Sequence, residues 1–151
     1  AAAVRLARAG SGGEFVLRWG YHGWLDWCQP PQTEGVPAST FALSETIPFG
    51  DSERASSMIR LLGDRLAAVV IEPVIEKAPP AEWLAVLREE TRKAGALLVL
   101  DEIKTGFRLG LAGAAGRYGI DPDLVVLGKA LANGFPLAAV GGKREVMEAA
   151  R

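Results

Sequence analysis

Three short runs without a polar residue, Ala67–Ile71, Ala96–Leu100 and Leu124–Leu127, constrain this chain more than any other feature. A strand with one face in water alternates polar and apolar residues. A run that is apolar throughout fits a strand buried on both faces. Between the first two runs lies Pro80–Ala94, where Trp83, Leu84 and Leu87 recur at helical spacing. Strands of this kind separated by helices imply a mostly parallel sheet with helices on both faces, the α/β class. A fourth short strand is expected at Leu137–Val140, before a glycine pair. Upstream, Ala1–Ala9 predicts a helix that stops at Gly10, and Phe15–Trp19 predicts a strand. Asp51–Gly63 predicts a helix capped by Asp51 or Ser52, with Met58, Ile59, Leu61 and Leu62 on its inner side. Tyr21 to Gly50 has no period and is expected to be a long loop, and such loops are often functional.

In sheets of this class a ligand lies outside the carboxyl ends of the strands. The three apolar runs are followed within two positions by Glu72, Asp101 and Lys129, so parallel strands would gather these side chains at one edge. A plain alternative is that each strand simply reaches solvent there. The Asp101-Glu102 pair would also suit a magnesium ion in a nucleotide-binding protein. Neither a GxxxxGK[ST] loop nor a GxGxxG turn follows the first strand, however, and GYHGWLDW is too bulky for close approach to a pyrophosphate. A lysine opposite an aspartate points elsewhere. A partly buried lysine amine condenses with aldehydes, and pyridoxal phosphate is an aldehyde whose ring nitrogen needs a carboxylate to keep its proton. Tyr21 and Ile103 are the candidates to pack against the ring.

Composition excludes several classes. Seventeen basic and eighteen acidic residues leave a formal charge of -1, with no basic stripe for nucleic acid. No apolar run reaches the ~20 residues of a membrane span. Cys28 is alone and His22 is the single histidine, which excludes an internal disulfide and a structural zinc of the usual Cys/His kind. Residues 1–9 lack the apolar core of a signal peptide, so a cytoplasmic location is the expectation. Both ends read as helical, at Ala1 and at EVMEAAR (145–151), and the chain is expected to be a piece of something longer.

LVLDEIKTGFRLG (98–110) and GIDPDLVVLGKALANGFPLAAVGG (119–142) closely resemble the class III (ω-type) aminotransferases, nearest the glutamate-1-semialdehyde 2,1-aminomutase-like members. GYHGW (20–24) and VVIEPV (69–74) match two further signatures in the right order, so the likeness covers nearly the whole chain. The resemblance implies the large, cofactor-binding domain of a fold-type I (aspartate aminotransferase-like) enzyme using pyridoxal 5'-phosphate. It implies a Schiff base on Lys129, Asp101 at the pyridine nitrogen, Tyr21 and Ile103 on the two ring faces, and His22 and Glu72 beside them. It also implies a homodimer, a small amine or amino acid as donor, and a keto or aldehyde acceptor. Residues 1–151 would be the central part of that domain, with the phosphate-binding turn and the small domain outside the chain. Alone, the piece is expected to bind cofactor weakly and to turn over nothing. Lys104 departs from the pattern, standing where relatives often carry Gln or Met near the ring hydroxyl. An amino-acid racemase of the same fold needs the same lysine and aspartate, and a truncated, non-catalytic interaction domain is the reading from another class.

Overall fold

The computed structural model describes residues 1–149. Six strands form one sheet in the order β2-β1-β3-β4-β5-β6. They are β1 (Phe15–Trp19), β2 (Ser44–Thr46), β3 (Leu66–Ile71), β4 (Leu97–Asp101), β5 (Leu124–Leu127) and β6 (Ala139–Gly142). Every neighbouring pair is parallel except β5 with β6. The central strand β3 is buried at every residue, as its apolar run predicts.

Alternate residues of the strands feed two cores, because side chains on a strand point to opposite faces. On one face Leu17, Val69, Ile71, Leu98 and Leu100 pack with Ala55 and Ile59 of α3 (Ser52–Leu62) and Trp83, Leu84 and Leu87 of α4 (Ala81–Ala94). On the other, Val16, Ala68, Val70 and Val99 meet Ala3, Val4 and Ala7 of α1 (Ala2–Ser11) and Val146 of α6 (Arg144–Glu148). Two shorter helices, α2 (Ala38–Phe41) and α5 (Gly113–Tyr118), lie in the connections. No helix among the described residues is long and apolar enough to cross a membrane.

Several boundaries differ from the sequence expectation, each for a local reason. Helix α1 runs through Gly10 and stops at Gly12, whose left-handed backbone (φ 79°) ends it. Gly10 is instead the place where Val146 of α6 comes close, 3.4 Å from where a Cβ would stand. Helix α3 turns Ala55 and Ile59 inward, while Leu61 is 80% exposed, so the expected inner cluster was rotated too far. The expected loop after Tyr21 contains a helical turn (Asp26–Cys28), α2 and the edge strand β2. The fourth strand starts at Ala139 rather than Leu137 and runs antiparallel. The helix expected at EVMEAAR is present as α6 through Glu148, and its last two residues, 150–151, lie outside the described residues.

Candidate active site

Because β1, β3, β4 and β5 run in one direction, the residues after each strand emerge at the same edge. Tyr21 and His22 follow β1, Glu72 follows β3, Asp101 ends β4 with Ile103 two residues on, and Lys129 follows β5. All six line one cavity of about 120 Å³, together with Gly23 and Lys104. At about 120 Å³ it is somewhat smaller than the ~150 Å³ that holds a benzene ring, and at Lys129 it opens toward wider space. A broader groove of about 810 Å³ adjoins it and shares Lys129; its lining includes Arg108, Asn133, Phe135 and Leu137. That groove has no carboxylate, whereas the small cavity holds amine and carboxylate together.

Asp101 is buried and held from two sides. His22 Nδ1 lies 2.7 Å from Asp101 Oδ2, and the Ile103 N–H donates to Oδ1 at 3.2 Å. A carboxylate accepts, so Nδ1 carries the proton in this contact. The other ring nitrogen, His22 Nε2, is buried without a partner, and the ring stacks on Trp27 at 5.9 Å. The histidine is thus packed on one side and hydrogen-bonded on the other, which fixes the plane of the Asp101 carboxylate. The contact between His22 and Trp27 had no sequence signal, because it depends on how the loop folds back.

Glu72 is buried and accepts from the Tyr21 N–H at 3.0 Å. The Gly20 backbone (φ 106°) passes so close that an added Cβ would stand 2.4 Å from Glu72 Cβ, which only glycine tolerates. The Lys104 ammonium lies 2.5 Å from Glu72 Oε1 and 5.8 Å from the centre of the Tyr21 ring. That ammonium sits off the direction a hydrogen bond requires, so Oε1 has an ion-pair partner but no aligned donor. Lys104 therefore turns to Glu72 rather than to open solvent.

Lys129 adopts φ 45°, a left-handed backbone uncommon outside glycine, and backbone outliers of this kind cluster at functional sites. The sequence reading expected partial burial of this lysine. It is exposed instead, at the mouth shared by cavity and groove, because the turn Lys129–Leu131 carries it beyond the sheet edge. Glu102, next to Asp101, carried no expected role at the cavity beyond the magnesium alternative for the Asp101-Glu102 pair. It is buried and accepts from Thr105 Oγ1 at 2.7 Å and from the Ala114 and Ala115 N–H groups at 2.8 and 2.9 Å. It closes the loop that carries Ile103 and Lys104, and the only hint was its place beside Asp101.

A mostly parallel sheet with an amine, a carboxylate and an aromatic ring around one cavity at its carboxyl edge is an α/β arrangement able to hold an aldehyde ring. The family model for aminotransferase class-III matches residues 29–151. The chain belongs to the class-III aminotransferase family. It is 46% identical over 147 residues to a glutamate-1-semialdehyde 2,1-aminomutase of Pyrobaculum arsenaticum, covering 95% of this chain and 32% of that protein. Among solved structures it superposes on an omega-transaminase from Sphaerobacter thermophilus with a TM-score of 0.90 at 31% identity, covering 97% of this chain and 38% of the other. A transaminase with PLP bound gives the same TM-score at 33% identity and the same coverage. The chain thus spans about a third of the length of the curated relatives it matches.

Proposed function

We propose that the protein carrying this chain transfers amino groups with pyridoxal 5'-phosphate, and that Lys129 is the covalent anchor of the cofactor. The observation that carries the reading is the cavity lined together by Lys129, Asp101, Tyr21 and Ile103. Its donor set fits the group: an amine for the aldehyde, a buried carboxylate for the ring nitrogen, and an aromatic and a branched side chain for the ring faces. Relatives named as aminomutases and transaminases support the same chemistry, either within one molecule or between two.

When bound, the cofactor supplies an electron-accepting ring that spreads the charge left by proton removal beside the amino-bearing carbon. The chain's own residues do the rest. Lys129 Nζ would hold the aldehyde and, when free, would move a proton at the substrate carbon. Asp101 would keep the proton on the ring nitrogen, and its carboxylate is aimed by His22 Nδ1–H and the Ile103 N–H. Glu72 anchors the Tyr21 backbone and so places the ring that would cover one face. The substrates are a small amine or amino acid and a keto or aldehyde acceptor. The working form is a cytoplasmic homodimer; exposed Phe135 and Leu137, which line the open groove, support the pairing of two copies. The 151 residues on their own would transfer nothing, since the resemblance puts the phosphate-binding turn outside them.

The test is borohydride reduction of the intact protein with its cofactor, followed by peptide mapping. The pyridoxyl group is expected on Lys129, and Lys129→Ala is expected to lower amine transfer by about a thousandfold or more. A label elsewhere, or transfer that survives Lys129→Ala, would overturn the reading.

A further inference from the structure

Two lysines line the candidate cavity, and an aldehyde entering it meets both. They differ in what holds them. Among the described residues, Lys129 has no ion-pair or hydrogen-bond partner for its amine and stands exposed at the mouth. Lys104 sits with its ammonium 2.5 Å from Glu72 Oε1 and over the Tyr21 ring, although 42% of its side chain reaches solvent. Glu72 is buried, and its other oxygen already accepts from the Tyr21 N–H. For Lys104 to attack an aldehyde, its nitrogen must give up a proton and leave the carboxylate. Glu72 Oε1 would then be buried with neither a cation nor an aligned donor, which is the costly arrangement for a charge.

We infer that Glu72 is a positioning residue that locks Lys104 out of aldehyde chemistry and thereby reserves the cavity's amine reactivity for Lys129. The inference explains why a buried glutamate follows β3, next to the strand that ends in Asp101, with one oxygen turned to a lysine. It also gives the second lysine of the cavity, Lys104, a consequence, since without the lock two amines would compete for one aldehyde. For the cofactor it rests on the proposed function; for aldehydes in general it rests on the geometry alone.

Two probes keep these apart. Limited reductive methylation of the intact protein uses formaldehyde, whose carbon is joined by the amine with loss of water. Cyanoborohydride then delivers hydride to that carbon and solvent supplies the proton to nitrogen. Mass mapping reads the rate at Lys104 against Lys77, an exposed lysine on another segment. Lys104 is expected to react about fivefold more slowly than Lys77, and Glu72→Gln, which keeps an acceptor for the Tyr21 N–H, is expected to remove that lag. Parity of the two lysines in the natural protein, or a lag that Glu72→Gln leaves intact, overturns the lock; if the variant does not fold, the natural-protein ratio decides alone. The second probe is pyridoxal phosphate with borohydride. In Lys129→Ala, Lys104 is expected to stay unlabelled, and in Lys129→Ala/Glu72→Gln it is expected to take up the label. Label on Lys104 in the single variant overturns the lock. Failure of the natural protein to label Lys129, with the formaldehyde lag intact, overturns the cofactor reading and leaves the lock standing.

Discussion

Glu102 and Asp101 are neighbours in sequence with opposite tasks. Successive residues of an extended segment point to opposite sides, so one carboxylate faces the cavity and the other turns into the protein. Glu102 there accepts three hydrogen bonds, and Gly113 (φ 57°) is the one residue type that lets the α5 backbone approach, since a Cβ would stand 2.4 Å from the carboxylate. Glu102→Ala leaves three donors, two of them buried, without an acceptor. It is expected to cost about 3 kcal/mol or more, at ~1–3 kcal/mol per orphaned group, read as a shift of the urea midpoint. Because the same loop carries Ile103 and Lys104, cofactor affinity in the intact protein should fall with it. Glu72, Asp101 and Lys129 were marked by the apolar runs they follow, Tyr21 and Ile103 as ring-packing candidates and His22 only by the family resemblance; all six line one cavity. Their hydrogen bonds were not legible, because no spacing rule connects His22 to Asp101 across the fold.

Helix α3 begins where its cap dictates. Asp51 accepts from the Arg54 N–H at 2.9 Å, and Asp51→Ala is expected to cost about 1 kcal/mol, measured by denaturant unfolding. The far end of α3 is tied to α4 by Arg60, which reaches Glu90 Oε2 at 2.6 Å and Oε1 at 3.0 Å, with Lys93 adding a third contact. The Arg60 guanidinium holds the Glu90 carboxyl down to about 2 from its ordinary 4.5, against the opposing effect of burial and with help from Lys93. A carboxyl lowered on folding contributes stability that is fully present above its unfolded value and lost as pH falls through its folded one. The stability gap between the natural chain and Glu90→Gln is therefore expected to be constant near neutral pH and to close between 4.5 and about 2. Unfolding midpoints compared at neutral pH and at roughly pH 3 would check it; a gap that widens on acidification contradicts the pairing. Elements with strong local codes, such as β3, β4 and α4, came within one residue of expectation. The edge strand β2 (Ser-Glu-Thr) has no apolar signature and exists because β1 offers it a partner, with Arg18 Nε donating to Ser44 Oγ at 3.1 Å.

At the scale of the molecule, Asp123 joins four parts of the chain. It accepts from Arg88 of α4 at 2.7 Å, from the Leu98 N–H of β4 at 2.8 Å and from Lys143 at 2.7 Å, just before β5 begins. Burial pushes its carboxyl up, but Lys143, the Leu98 N–H and Arg88 together outweigh burial and leave it below the usual range. Asp123→Ala removes an anion from between two cations and is expected to cost about 3–5 kcal/mol, with faster amide exchange at Leu98 and in β6 as the local signature.

The order of apolar runs and the residues that follow them determined the sheet, its parallel sense and the set of side chains at its edge, because burial on two faces and strand direction are written in local composition. Only the folded chain decided that β6 reverses, that β2 joins the edge, that Lys104 answers to Glu72, and that His22 rather than a second cation steadies Asp101. Those outcomes depend on contacts between residues far apart in sequence, where distance and angle, not residue type, determine which partner each buried group finds.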